Sequence, residues 1–423
     1  MKLKLKVLII SPFIFILKAH AEEVQMSLDE AVAVGLRDNT DILLKKEDVA
    51  KAKAKITEAK AALLPSLTAV GTWSNTHGYY NKDVNQTGVE LTLSQMIYNG
   101  GKTINTIKYN QYGVTIAETI LDKEKLELIY GIKKAYYTLM LSVEFAELNK
   151  GIMENTAAHL DSLLERYKNG EASQSDILRV KSSLSSVTKV YEMSMNQVEA
   201  VRAEINNLLH LEKEVALRPS GKFTYEPLEI AYDEAFLRAF KRRPEIKQYE
   251  MQEKAAVSAV EIAKAGGRPT ISASWDYYSN SHLAGSTGMT KNWNDYGIVG
   301  FVLSWPIFDG FATKAKVEQA VVDLKQAKLM RDKASNDIAL DVKRAYLGLR
   351  DALAKIRSAQ SEIELYEDRV SVVQGQYKAG IASVLDLNDT SLAYKISLFN
   401  QNEATYDYII FKANFERATG GPQ

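Results

Sequence analysis

A long internal duplication constrains this chain more than any other feature. Asp29-Glu30-Ala31 recurs as Asp233-Glu234-Ala235, and Pro65 recurs as Pro269, both at an offset of 204. Farther along the offset becomes 210 and holds: Ser94, Ile97, Gly100 and Thr103 match Ser304, Ile307, Gly310 and Thr313. Ala135-Tyr136 matches Ala345-Tyr346, and Tyr167-Lys168 with Gly170 matches Tyr377-Lys378 with Gly380. A unit of about 200 residues is far longer than a solenoid repeat. One large structural unit is therefore expected twice, over 22–220 and 221–423, around a pseudo-symmetry axis.

The segment ahead of the first unit reads as a secretory signal peptide over 1–21. Lys2, Lys4 and Lys6 give a basic start, Val7 to Leu17 an apolar stretch, and Ala19-His20-Ala21 a small-x-small cleavage site. The apolar stretch is far short of the roughly 20 residues a spanning helix needs. The chain contains no cysteine, so an exported fold cannot rely on disulfides. Its formal net charge of zero gives no general attraction to nucleic acid. His77, His159, His210 and His282 are scattered without metal-ligand spacing, and no cofactor is expected. Asn99-Gly100-Gly101-Lys102-Thr103 ends like a phosphate-binding loop, but the first glycine of that motif is Met96, so it reads as a strand-to-helix turn.

Proline is absent from 66 to 218 and from 307 to 421. Gly100 to Lys168 and Gly310 to Lys378 each hold 69 residues with charges spread throughout. An unbroken helix of that size is about 100 Å long. Leu128, Ile132, Ala135, Leu139, Val143 and Ala146 form an apolar stripe at steps of three and four. Ile338, Val342, Ala345, Leu349, Ala352 and Ile356 repeat it. This is the seam of packed antiparallel helices. The glycines after Lys168 and Lys378 predict left-handed helix ends, with helices returning over about Gln174 to His210 and Val384 to Arg417. A shorter helix opens each copy. The first runs from a capping box at Ser27 and Glu30 to about Leu64, and the second from about Asp233 to Lys264 with a break near Pro244.

Between the helices the texture is that of strands: Ser66 to Tyr79, Thr87 to Tyr98, Thr270 to Tyr278 and Tyr296 to Phe308. Val89, Leu91 and Leu93 alternate with Glu90, Thr92 and Ser94. Alternation over such lengths is the pattern of an outer-membrane strand; a two-stranded cap on a soluble bundle is the alternative. The six-residue change of offset falls in the loop Ser279 to Asn294, as expected of an exposed turn. Four strands cannot close a barrel, and an open edge in lipid leaves backbone groups unpaired. The fold class expected is α+β, mostly α, with four transmembrane strands per chain. Two chains give eight strands, whose interior side chains fill. Three give twelve, and the homotrimer is preferred, with its helices forming a hollow periplasmic barrel.

In duplicated layout, the Ser27-Leu28-Asp29-Glu30-Ala31 opening, the turns at Gly100 and Gly310 and the two tyrosine-glycine turns, the whole chain resembles the TolC-like outer-membrane efflux proteins. The resemblance implies a trimeric duct in the outer membrane, with a twelve-stranded barrel in outer-membrane lipid and a periplasmic tip that tapers shut. It also implies a periplasmic adaptor, with an inner-membrane pump or ABC transporter, as partners. It assigns the pore constriction to Asp386 and Asp389, six and nine residues after Gly380. Asp176 and Tyr377 fall where the family forms a link that closes the tip. Asn169-Gly170-Glu171 and Ala379-Gly380-Ile381 are the turns where an adaptor would dock. The family's closing arginine is replaced by Ala382, with Arg179 as the available substitute. A periplasmic scaffold or adaptor without a pore is the other reading. An enzyme finds no nucleophile, base or cofactor loop to support it.

Overall fold

A computed structural model of the chain describes residues 23–79, 82–211, 216–283 and 292–422. The expected signal peptide lies outside the described residues, as does most of the variable loop beyond Leu283. Two successions of the same elements follow one another. The first is α1 (Leu28–Asp38), α2 (Thr40–Ala61), β2 (Ser66–Tyr79), β3 (Lys82–Asn99), α3 (Lys102–Lys168) and α4 (Gln174–Leu209). The second is α5 (Tyr232–Arg242), α6 (Pro244–Lys264), β5 (Thr270–Leu283), β6 (Asn292–Ser304), α7 (Ala312–Lys378) and α8 (Val384–Ala418). The long helices α3 and α7 have 67 residues each, without interruption. A short parallel pair not expected from the sequence, β1 (Glu23–Met26) with β4 (Ala216–Pro219), ties the start of the first copy to its end.

The expected first helix is in fact two. Asn39 takes an extended backbone, and its Oδ1 accepts from the N–H groups of Asp41 and Ile42 at 2.9 and 3.2 Å. An asparagine that can cap a new helix competes with the old one. Its Nδ2 donates to the carbonyl of Leu208 at 3.1 Å, fixing the break against the end of α4. The second copy breaks at the matching place, where Pro244 opens α6 and Arg243 donates to the carbonyl of Ala418.

Each copy has its own apolar core. Ile132, Ala135, Leu139 and Ala146 of α3 meet Val198, Val201, Ile205 and Leu209 of α4. In the second copy Ile338, Val342, Ala345, Leu349, Ala352 and Ile356 of α7 meet Ala404, Tyr408 and Phe415 of α8. Of the twelve residues in the two expected stripes, only Val143 is not fully buried. Small alanines on these seams let the helix axes approach closely. Between the copies the helices meet through both apolar and polar contacts: Phe145 of α3 packs on Phe399 of α8 at 5.4 Å, and several polar pairs accompany it. Lys133 pairs with Glu416 at 2.8 Å, Thr138 with Tyr406 at 2.9 Å and Asn402 with Glu144 at 2.8 Å. Arg417 reaches Glu127 of α3 at 2.9 Å and Asp341 of α7 at 3.2 Å, and Arg243 reaches Asp341 at 2.7 Å.

The sheet runs β2-β3-β5-β6, antiparallel throughout. β2 has the expected bounds, while β3, β5 and β6 extend past theirs at the loop ends, because ladder pairing continues where apolar alternation has stopped. β6 instead ends at Ser304, short of the expected Phe308; Pro306 has no N–H to continue a ladder. Register sorts the side chains cleanly. One cross-strand row is Leu67, Leu93, Trp275 and Val299, and the next on the same face is Ala69, Leu91, Tyr277 and Gly297. The opposite face carries Ser66, Ser94, Ser274 and Gly300, then Thr68, Thr92, Asp276 and Ile298. Trp73 and Trp293 share a row near the loop end of the apolar face, and Trp305 follows the helix end of β6. Twelve residues separate Trp293 from Trp305. At about 3.3 Å per residue and a tilt near 45° that is roughly 28 Å of height, close to an outer-membrane apolar band with its aromatic girdles.

Candidate functional site, the helical tip and the two-faced sheet

At every level the chain presents a layer of four elements. Nearest the sheet the order is α2-α3-α6-α7, and toward the turns it is α4-α3-α8-α7. Three joints connect the copies: β3 with β5, α3 with α6, and α3 with α8. Shifted by one repeat, these joints become β6 with β2, α7 with α2, and α7 with α4. None of the three is made to that extent within the chain among the described residues. One edge of each layer is thus the complement of its other edge.

The tip is built from two matched turns. After α3, Gly170 takes φ 77° and the N–H of Glu171 donates to the carbonyl of Arg166 at 2.9 Å. After α7, Gly380 takes φ 72° and the N–H of Ile381 donates to Gln376 at 2.9 Å. Only glycine adopts this conformation without cost, and the bonds satisfy the last helical carbonyls. Asn169, Gly170, Glu171, Ala379, Gly380 and Ile381 are all exposed, with Ile381 projecting at 78 %.

The carboxylates assigned to the tip have a local task that the sequence reading missed. Ser383 caps α8, and its N–H and Oγ donate to Asp386 Oδ2 at 2.9 and 2.7 Å, while the N–H of Asp386 donates back to Ser383 Oγ at 3.1 Å. Ser173 and Asp176 form the same box at the start of α4, with the Oγ donating at 2.6 Å. The Ser-x-x-Asp spacing at both places was the available signal. The backbone N–H and then the hydroxyl of Ser383 hold the Asp386 carboxyl below its usual range. The hydroxyl and then the N–H of Ser173, with a smaller contribution from Arg179, do so for Asp176. Asp389 is exposed, and Asn155 of α3 donates to it at 3.4 Å. Asp176 and Tyr377 make no hydrogen bond to each other within the chain. Tyr377 is exposed.

Ser383→Ala is expected to cost the tip about 1 kcal/mol. Because the Asp386 pKa is depressed, the part of the cap made by its carboxylate is present at neutral pH and lost as pH falls through the folded value, whereas the bond from its N–H to Ser383 Oγ does not titrate. Hydrogen exchange at the start of α8 measures it: faster exchange at pH 7 in the variant, with the difference reduced but not abolished in acid.

A four-stranded sheet with one apolar and one polar face, carried on two helical hairpins whose first helices have 67 residues each, is the architecture of the TolC-like outer-membrane channels. The profile of the outer membrane efflux proteins matches residues 35–209 and 237–421, and the chain belongs to that family. It is an outer-membrane protein. It is 20% identical to Outer membrane protein TolC of Escherichia coli (strain K12) over 380 residues, covering 86% of this chain and 76% of TolC. It is 23% identical to Alkaline protease secretion protein AprF of Pseudomonas aeruginosa over 414 residues, covering 90% of this chain and 83% of AprF. The fold matches the Campylobacter jejuni CmeC outer membrane channel with a TM-score of 0.78 at 18% identity, over 93% of this chain and 85% of CmeC. It matches the open state of the Neisseria gonorrhoeae MtrE outer membrane channel with a TM-score of 0.73 at 17% identity, over 93% of this chain and 89% of MtrE.

Proposed function

We propose that three copies of this chain form a passive export duct through the outer membrane, gated at the periplasmic tip. The observation that carries this is the complementarity of the layer edges: the joint between the copies within a chain has an unmade image at sheet, upper helices and lower helices alike. Three chains repeat that joint around a closed ring of six units, and their sheets complete twelve strands. Closure removes the open edges that lipid cannot tolerate. The polar sheet face then lines the lumen and the apolar face meets lipid. The two structural units are 22–220 and 221–423, preceded by a signal peptide.

In this reading the tip turns at Gly170 and Gly380 receive a periplasmic adaptor, and an inner-membrane pump or ABC transporter supplies the energy. Asp386 and Asp389 of three chains form the constriction, where crowding opposes the depression that Ser383 imposes on Asp386. Asp176 and Tyr377 link neighbouring chains rather than residues of one chain.

Single-channel conductance of the detergent-purified protein in a planar bilayer tests the duct. A small, stable, cation-selective conductance blocked by multivalent cations is the expected result. Asp386→Asn with Asp389→Asn should raise the blocking concentration at least about tenfold, equivalent to 1.4 kcal/mol. Block unchanged by that pair removes the assignment. Protein that is monomeric and extracted without detergent sinks the duct and leaves a periplasmic scaffold.

A further inference from the structure

The chain as a whole is neutral, with 53 basic and 53 acidic residues, yet its charge is not evenly placed. Where strands give way to helices, over 58–65, 100–108, 261–269 and 305–316, seven basic residues face three acidic ones. At the opposite end, over 165–180 and 375–390, there are four basic and five acidic. The excess of positive charge therefore belongs to the barrel end of the helices. Two of its three acids are also engaged: Glu261 is held by Lys264 and Arg268, and Asp309 accepts the N–H of Thr313 at 2.8 Å.

Three of these lysines combine two properties. Lys60, Lys108 and Lys314 are exposed, and among the described residues none has an acid within ion-pair distance. Each also shares a helical face, or the continuation of one, with an exposed apolar side chain three or four residues away. Lys314 follows Phe311 by three, and Phe311 stacks edge-on against Phe308 at 5.4 Å. Lys108 follows Ile104 by four, and Lys60 precedes Leu63 by three; both apolar residues are exposed. Trp305 and Ile307, the latter 90 % exposed, continue the apolar belt at the end of β6. Apolar stems against such a belt with ammonium groups just beyond it are the arrangement of side chains at a lipid headgroup layer.

We propose that this rim binds anionic glycerophospholipid headgroups of the phosphatidylglycerol type in the periplasm-facing leaflet, through Lys60, Lys108 and Lys314. The proposal rests on the barrel reading, which sets the membrane level. Charge complementarity and continuity with the lipid-facing sheet favour this occupant. Three chains place nine such lysines in one plane, and basic side chains near a membrane surface each add attraction for anionic lipid.

The test uses the full chain with Trp73, Trp275 and Trp293 replaced by phenylalanine, so that Trp305 is the remaining fluorophore. It is reconstituted in phosphatidylcholine vesicles carrying brominated phosphatidylcholine or brominated phosphatidylglycerol. Quenching should show a severalfold preference for phosphatidylglycerol at Trp305. The preference should fall to about one in Lys60→Gln/Lys108→Gln/Lys314→Gln, and should shrink in the lysine-bearing protein as salt rises toward about 1 M. Equal quenching by both lipids, or a preference the triple variant retains, overturns the rim. If the triple variant does not assemble, a preference indifferent to salt overturns it as well. No quenching by either lipid would mean that the strands are not in the bilayer, which sinks the barrel reading itself.

Discussion

Replacing Arg243 with methionine is expected to destabilise the helical part by about 3–5 kcal/mol at neutral pH, the cost of leaving buried charge uncompensated. The Arg243 side chain is only 8% exposed, and its guanidinium holds Glu245 with two bonds, at 3.2 and 3.0 Å, and Asp341 with a third at 2.7 Å. Burial on its own would raise the Glu245 pKa, but the hydrogen bonds and charge of Arg243 outweigh it and hold the carboxyl below its usual range. With a depressed pKa, the carboxylate stabilises the fold above its unfolded value, and that stability is lost as pH falls through the folded one. In the variant only the Glu245 backbone N–H and the charge of Lys123 still oppose burial, so Glu245 protonates more readily and the penalty of its charge shrinks in acid. Chemical unfolding of the helical signal in detergent, at pH 7 and near pH 4, should therefore show a gap between the two proteins that narrows in acid. Arg243→Met with Glu245→Leu should recover most of the loss. An equal gap at both pH values would mean that lost packing, not unpaired charge, sets the cost.

Tyr136 carries the second large effect. Its ring is 1% exposed in the first core, and its hydroxyl serves three backbone groups. It lies 2.8 Å from the carbonyl of Ser220 and 2.9 Å from that of Met26, and it accepts the N–H of Ser220 at 2.9 Å. One group thus ties both strands of the β1–β4 pair to α3. Tyr136→Phe keeps the ring and is expected to cost about 1–3 kcal/mol, since it strands buried backbone groups. Tyr136→Ala removes the ring as well and should cost about 3–5 kcal/mol from the cavity and its lining. The difference between the two variants measures packing, and the first step measures anchoring. Proteolysis within 216–230 should accelerate in both variants; a connector as resistant as in the unaltered chain would show that the hydroxyl does not hold it. The second copy anchors the same connector differently. Tyr408 of α8 accepts the N–H of Leu228 at 2.8 Å and donates to the carbonyl of Glu226 at 3.0 Å.

What the sequence revealed and what it hid divide along physical lines. The stripes at Leu128 and Ile338 were legible because burial on a helix forces a spacing of three and four, and the spacing survives in the letters. Gly170 and Gly380 were legible because a left-handed turn demands glycine. The break at Asn39 was not, because the asparagine acts through Leu208, 169 residues away, and nothing local separates it from an exposed polar residue. Asp176 and Asp386 are legible as a pair because each lies six residues after its turn glycine. Their capping bonds went unread, although Ser-x-x-Asp was present at both places. The ion network around Arg243 was hidden for a related reason: Glu127, Asp341 and Arg417 are scattered over three helices and meet only after folding. The neutral total charge likewise concealed the basic rim, because a sum says nothing of placement.

The equal lengths of α3 and α7 restrict how such a chain can change over generations. One heptad inserted into α3 alone would push its turn about 10 Å beyond that of α7. The returning helix α4 would also need the same heptad to keep its seam in register, and so would α7 and α8. Four separated stretches of coding sequence must therefore lengthen or shorten in concert. Intermediates with staggered ends would present an uneven rim to anything that docks on both turns together. A loop between strands carries no such obligation, and the six residues gained between β5 and β6 show how freely it drifts. The reach of the helices is inherited as a single quantity, while the strand loops are free to differ.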